Sequence, residues 1–257
     1  MIVREHSSGF IMIEQDHHAH LSGEMAMALR NEFFAGKKLR QSVEYAIHQH
    51  DYGWKMLDKQ PFWNDKQQAP YTFTDFPVLP KMVFYKHGID EVEKQDAYAG
   101  LLCSRHYTGF LLNDSSKEAK SFVKEEKNRQ KQIFEDLEDI DRETYNFHYG
   151  LVQLFDNLSL FLCLNEPGAS KDNEHPFFRE GIPLSESLAV IGKDKMDIWW
   201  EDVHTVFIGK PLFDTAINLN LRQKYVTKES IAAKGLIESY QVAKTEEKTI
   251  EIKAKDR

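Results

Sequence analysis

A helix with almost no polar face has to lie at the centre of whatever it folds into, and residues 141–165 spell one. Asp141 offers an N-cap, Glu166-Pro167-Gly168 offers the stop, and from Gly150 onward apolar residues run nearly all round. Asp156 sits in the middle, in the run Leu-Phe-Asp-Asn-Leu-Ser-Leu-Phe over 154–161. A carboxylate buried there is costly unless it is paired or bound to a cation. Arg105 is one partner the chain offers; a metal ion is another.

Three other predicted helices carry polar groups on inward faces. Asp16 caps a helix over about His17–Phe34, closed by Gly36, and His18 extends its stripe of Leu21, Met25, Ala28 and Leu29, whereas His17 and His20 fall off it. A second helix over about Ser42–Leu57 puts Val43, Ala46, Ile47, His50 and Trp54 on one face. His48 lies about 200° round from His50 and reads as solvated. Adjacent His50 and Asp51 present an imidazole and a carboxylate at that helix edge. A third helix over about Asp96–Leu112 places His106 one turn past Leu102. His18, His50, Asp51, His106 and Asp156 are therefore the candidate metal ligands of a helical bundle.

Between the helices, residues 58–80 hold Pro61, Pro70, Pro77 and Pro80 without periodicity, a loop long enough to roof the site with Phe62, Trp63, Tyr71 and Phe73 as its walls. A short helix is expected over about Lys81–His87, and a long charged one from the Ser115-Ser116-Lys117-Glu118 cap to about Leu137. After Ser170 the period changes to two near Leu188–Ile191, Ile198–Phe207, Thr215–Leu221 and Thr249–Lys253, with one amphipathic helix over about Lys228–Tyr240. The expected architecture is mainly α: an N-terminal β-hairpin over 1–14, a helical metal-binding core over 15–169, and an α+β appendage over 170–257. Its β part reads as small and antiparallel, with the N-terminal hairpin a candidate to join it.

The formal net charge of −8 argues against partners that are nucleic-acid polymers or anionic membranes. A small anionic substrate would then need a local cation to receive it. Cys103 and Cys163 both lie in apolar runs, which fits buried thiols in a reducing compartment. No signal-peptide core is evident, and the apolar run Leu151–Leu164 reads as too short to span a bilayer, so the expected location is cytoplasmic.

The order His18, then His50-Asp51, then Asp156 inside an apolar helix resembles the HD-domain metal-dependent phosphohydrolase superfamily, over residues 15–165. Gly53 and the Asp-Asn-Leu-Ser run from 156 add to the likeness. The chain is more closely similar to a bacterial family of unknown function, on Gln15-x-x-His18-Ala19, His50-Asp51-x-Gly53-Trp54, Ser104-x-His106 and Phe155-Asp156-x-Leu158-Ser159. It lacks the Gly-Tyr-Pro run of the cyclic-dinucleotide branch. The superfamily resemblance implies an HD-like helical bundle, one or two metal ions and hydrolysis of a small phosphoester, a nucleotide among the options. Mixed imidazole and carboxylate ligation suits Mn, Fe, Co, Ni or Zn. Asp51 would bind the metal and orient its water, with His106 as a second-metal ligand or phosphate partner and Arg105 as a phosphate partner. Two alternatives stay open: an HD-type di-iron oxygenase, which would recruit His87, and a non-catalytic metal-binding regulatory module.

Overall fold

The computed structural model describes residues 1–137 and 140–255. An antiparallel hairpin opens the chain, β1 (Ile2–His6) and β2 (Gly9–Ile13), turned at Ser7-Ser8. α1 (Gln15–Met27) starts one residue before the expected Asp16 cap: Glu14 holds the cap position with its carboxylate on the Tyr240 hydroxyl, and Asp58 accepts the Asp16 backbone N–H at 3.1 Å. The helix stops short of the expected Phe34 because Leu29 bridges Phe213 and the Arg30 N–H bonds the Leu212 carbonyl. α2 (Arg40–Gln49) ends just before His50, and a 3-10 turn over Tyr52–Trp54 leads into the single turn α3 (Lys55–Asp58). The loop beyond holds only the two-residue pair β3 (Trp63–Asn64) and β4 (Ala69–Pro70).

α4 (Val78–Gln95) runs on through Gly88 where a shorter helix was expected. α5 (Ala97–Gly109), α6 (Lys117–Asp136) and α7 (Arg142–Leu164) follow, with Asp96, Ser116 and Asp141 each accepting the N–H three residues on. α7 is the one helix among the described residues long and apolar enough to cross a bilayer. Inside this fold 72% of its apolar window is buried, and it packs against α1, α2 and α5.

The C-terminal part contains the two-residue pair β5 (Ile182–Pro183) and β6 (Lys195–Met196), the hairpin β7 (Ile198–Trp200) and β8 (Thr205–Ile208), and the long β9 (Ile217–Thr227). α8 (Lys228–Lys234) and α9 (Leu236–Val242) replace the single expected helix, broken where Gly235 takes φ 79°. β10 (Thr245–Ala254) completes one six-stranded sheet in the order β1-β2-β9-β10-β8-β7, in which β10 and β8 are parallel and the other neighbours antiparallel. The mainly-α expectation with a small β appendage is therefore wrong: the protein is mixed α/β, with a sheet that draws strands from both ends of the chain. The period-two stretches from Ile198 onward fall on β7, β8, β9 and β10; what they do not cover is the half of β9 beyond Leu221, with Arg222, Gln223 and Lys224, which pairs with β2 and joins the hairpin to the sheet. Near Leu188–Ile191 the error went the other way, since the apolar residues there belong to a 3-10 turn that buries Leu188 and Ile191.

Candidate metal centre

The break after α2 shapes the site. In a continuous helix His50 and Asp51 would diverge by about 100°, whereas here the turn lets both reach the same point as His18 of α1 and Asp156 of α7. His18 Nε2 lies 3.0 Å from Asp51 Oδ2, 3.2 Å from His50 Nε2 and 3.7 Å from Asp156 Oδ1. His50 Nε2 lies 3.4 Å from Asp156 Oδ1 and 3.9 Å from Asp51 Oδ2. His106 of α5 joins from the other side, its ring centroid 4.9 Å from that of His50. His18, His50 and Asp51 form one group able to share an ion, and His50, His106 and Asp156 form a second. All five residues expected from the sequence converge.

Hydrogen bonds fix which ring nitrogens face the centre. His50 Nδ1 donates to the Ile47 carbonyl at 2.7 Å. His18 Nδ1 lies 2.6 Å from Ser159 Oγ, whose proton goes to the Asp156 carbonyl, while Ser22 Oγ donates to the His18 carbonyl. Ser22 Oγ and Ser159 Oγ also lie 2.7 Å apart, so His18 Nδ1 and the two hydroxyls form one buried network. Both imidazoles thus aim Nε2 inward, the orientation a metal ligand needs. Bonds of about 2.0–2.1 Å to one cation set neighbouring donor atoms about 2.9–3.4 Å apart, the range that brackets the 3.2 Å found here. Gln15 Nε2 donates to Asp51 Oδ2 at 2.9 Å, which leaves Gln15 Oε1 buried and without a partner in the fold. An orphaned acceptor beside the donor set suits a water or substrate hydroxyl held on an ion. The residues fit a divalent transition metal.

In the metal-free chain a proton must stand in for the ion. Burial works against the His50 imidazolium, but Asp51 and Asp156 outweigh it and lift its pKa to about 9. Burial would raise both acids, yet the histidines hold Asp51 below its usual range and bring Asp156 to about 2. Burial lowers His106 to about 4, leaving it a neutral lone-pair donor at pH 7. His17 and His48 are likewise lowered by burial, to about 3 and about 4. A lowered histidine gives stability that grows as pH rises toward 6.5, and the raised His50 gives stability that is complete below 6.5 and lost as pH climbs through 9. Metal-free protein should therefore melt highest near pH 6.5 and progressively lower toward pH 9, whereas saturating Mn2+ should flatten that decline. Thermal melts across pH 5–9 with and without Mn2+ check this, and a metal-free melting temperature that rises from 6.5 to 9 contradicts it.

A cavity of about 310 Å³ opens onto the cluster, lined by Asp51, His106 and Asp156 with Trp54, Tyr85 and Lys81. It adjoins a wider cavity of about 640 Å³, and the two share Phe73, His106, Phe110, Asp156, Leu160 and Phe177. The roofing loop contributes Phe73 and Thr74, but Phe62 and Tyr71 pack on Phe76 and Trp63 packs on Phe10. Arg105 does not pair with Asp156 among the described residues. It lines the wider cavity, its guanidinium 4.0 Å from the Tyr149 ring centre and donating to Asn146 at 2.8 Å. His87 stands apart, within α4 and 4.0 Å from Glu91, and belongs to neither donor group. His17 and His48, expected off the core, are buried against Arg222 and half-buried against the His20 ring respectively. Lys81 and Tyr85 also line the cavity, and nothing in the sequence of the helix expected over Lys81–His87 connects it to the site. Gln15 had a signal, its place one turn before His18, and no role attached to it.

Fold and site together define a mixed α/β protein with a buried histidine–aspartate cluster at the floor of a cleft. The chain belongs to a family described as proteins of unknown function (DUF3891), whose model matches residues 1–228 and so takes in every member of the cluster. No curated protein and no solved structure matches it.

Proposed function

We propose that this protein is a metal-dependent phosphohydrolase of HD type acting on a small phosphoester. The observation that carries the reading is the pair of imidazoles pinned with Nε2 inward, 3.2 Å apart and flanked by two carboxylates. The likeness of the His18, His50-Asp51, Asp156 order to the HD superfamily supplies the reaction class. One or two ions of Mn, Fe, Co, Ni or Zn would be held by His18, His50, Asp51 and Asp156, with His106 completing the second donor group. Bound there, the cation polarises a phosphoryl oxygen and acidifies a water.

The chain's own groups do the rest. Asp51, held by Gln15, would bind the cation and orient the attacking water, whose hydrogen bond Gln15 Oε1 would accept. Neutral His106 adds a donor lone pair on the cavity side. Arg105 waits at the rim with guanidinium N–H groups to spare for phosphate. Trp54, Tyr85, Phe73 and Phe110 exclude water from the cleft. The buried free thiols Cys103 and Cys163 favour a reducing setting, and the proposed location is cytoplasmic.

The test is metal analysis of protein purified without chelator, followed by a colorimetric screen of phosphomonoesters, nucleotides and cyclic nucleotides. Activity should vanish with EDTA and return with Mn2+, Co2+ or Ni2+. Metal-loaded protein inert toward the whole panel overturns the reading.

A further inference from the structure

One cation in the cleft is not used by this mechanism. Lys81 lies on α4 one turn before Tyr85, so both side chains share the face that lines the smaller cavity. The Lys81 residue is only 9% exposed, yet its ammonium donates one hydrogen bond, to the Phe73 carbonyl at 2.9 Å. Among the described residues no carboxylate forms an ion pair with it; Asp75, the nearest acid to act on it, is occupied by the Thr72 N–H and hydroxyl and by the Asn64 amide. With one of its three N–H donors on Phe73, the ammonium has two left to offer a ligand in the cavity it lines.

Position along α4 bears on what that ligand is. Tyr85 stacks on Tyr107 of α5 and meets Trp54, while Lys81 is tied to the Phe73 carbonyl of the roofing loop. Lys81 stands one helical turn, roughly 5.4 Å along α4, from Tyr85 and under that loop. Between cluster and ammonium the walls are aromatic: Trp54 and Tyr85 meet edge to face at 6.0 Å, with Phe73 and Phe110 alongside. With a cation held at the cluster, the cleft would present a positive end, a flat apolar middle and a second positive group at Lys81.

We propose that Lys81 is a specificity-determining residue: the substrate is a phosphoester bearing a second anionic group, a carboxylate or another phosphate, beyond a flat or apolar spacer, and Lys81 receives that group. This rests on the phosphohydrolase reading for the identity of the first anionic group. Lys81 contacts the distal anion, not the scissile bond. It exchanges none of its bond to Phe73, since its two free N–H groups suffice.

Two non-hydrolysable probes test it by calorimetry on Mn2+-loaded protein: benzylphosphonate, and 4-(phosphonomethyl)benzoate, which adds a carboxylate across the ring. The wild type should bind the carboxylated probe more tightly by a factor on the order of ten, as expected for a charge-assisted contact. Lys81→Met should remove that preference while leaving benzylphosphonate affinity near the wild-type value, and Lys81→Arg should keep it. If Lys81 served only to strap the loop through Phe73, Lys81→Met would weaken both probes alike and the ratio would stand. Equal affinities in the wild type, a preference that survives Lys81→Met, or no binding of either probe each overturn the proposal. The wild-type comparison decides even if a variant fails to fold. A preference without hydrolysis of any phosphoester would sink the phosphohydrolase reading and leave only Lys81 as the receiver of a distal anion; hydrolysis without preference would keep that reading and overturn this one.

Discussion

Asp51→Ala should purify with most of its metal gone and its far-UV helicity intact. Asp51 lies in the turn after α2, outside any α-helix, so the substitution removes a donor without breaking a helical hydrogen bond. What it takes away is the carboxylate oxygen 3.0 Å from His18 Nε2 and the acceptor of the Gln15 amide. Groups that merely orient a ligand cost about 10–100-fold in metal affinity or activity when removed, so a donor itself should cost more. Ser159→Ala supplies the comparison, because it deletes only the hydroxyl that holds His18 Nδ1. Metal content by atomic emission and turnover of the best phosphoester should fall in the order wild type, Ser159→Ala, Asp51→Ala. Stoichiometric metal in Asp51→Ala would remove this residue from the site.

The second large effect is on stability, and it comes from two glycines. Gly53 follows the His-Asp pair and Gly88 lies in α4, and they stand back to back: a Cβ on Gly88 would fall 2.6 Å from Gly53 N and 2.8 Å from Gly53 Cα. A Cβ on Gly53 would meet the Phe84 carbonyl oxygen. The obstacles are backbone, which cannot rotate aside, so α4 must move bodily. Gly88→Val should cost about 3 kcal/mol, and for a chain this size that lowers Tm by about 6–12 °C. Gly109→Ala is the control, since its new methyl would meet only the end of the Tyr149 side chain at 3.3 Å; its effect should stay within about 1 kcal/mol. Differential scanning calorimetry on both variants settles the point, and equal melting temperatures would deny the close approach.

That same contact explains what the sequence concealed. Gln49-His50-Asp51-Tyr52 contains no helix breaker, so local propensity predicts a continuous helix. The break is imposed from outside, by α4 pressing on Gly53 and by Tyr107, whose hydroxyl accepts the Gly53 N–H at 3.1 Å. The donors themselves were legible because polar residues on apolar stripes are conspicuous: His18 beside Leu21 and Met25, Asp156 between Phe155 and Leu158. Lys81 was not, since a lysine opening a helix reads as solvated until the loop over it is known. The strands were legible from their alternation, but the pairing of β9 with β2 from the other end of the chain and the parallel pairing of β10 with β8 were not, because local periodicity does not name partners.

The clamping of α1 has a kinetic consequence. On one side His17 Nε2 accepts the Arg222 backbone N–H of β9 at 2.9 Å; on the other, the next residue, His18, is tied to Ser159 of α7. β2 meanwhile pairs Gly9 with Thr227. Such pairings close loops of more than half the chain and carry the entropy cost and slow search of high contact order. The donor set is thus completed by long-range contacts such as His18 with Asp156, and ion capture should report a late stage of folding rather than seed it.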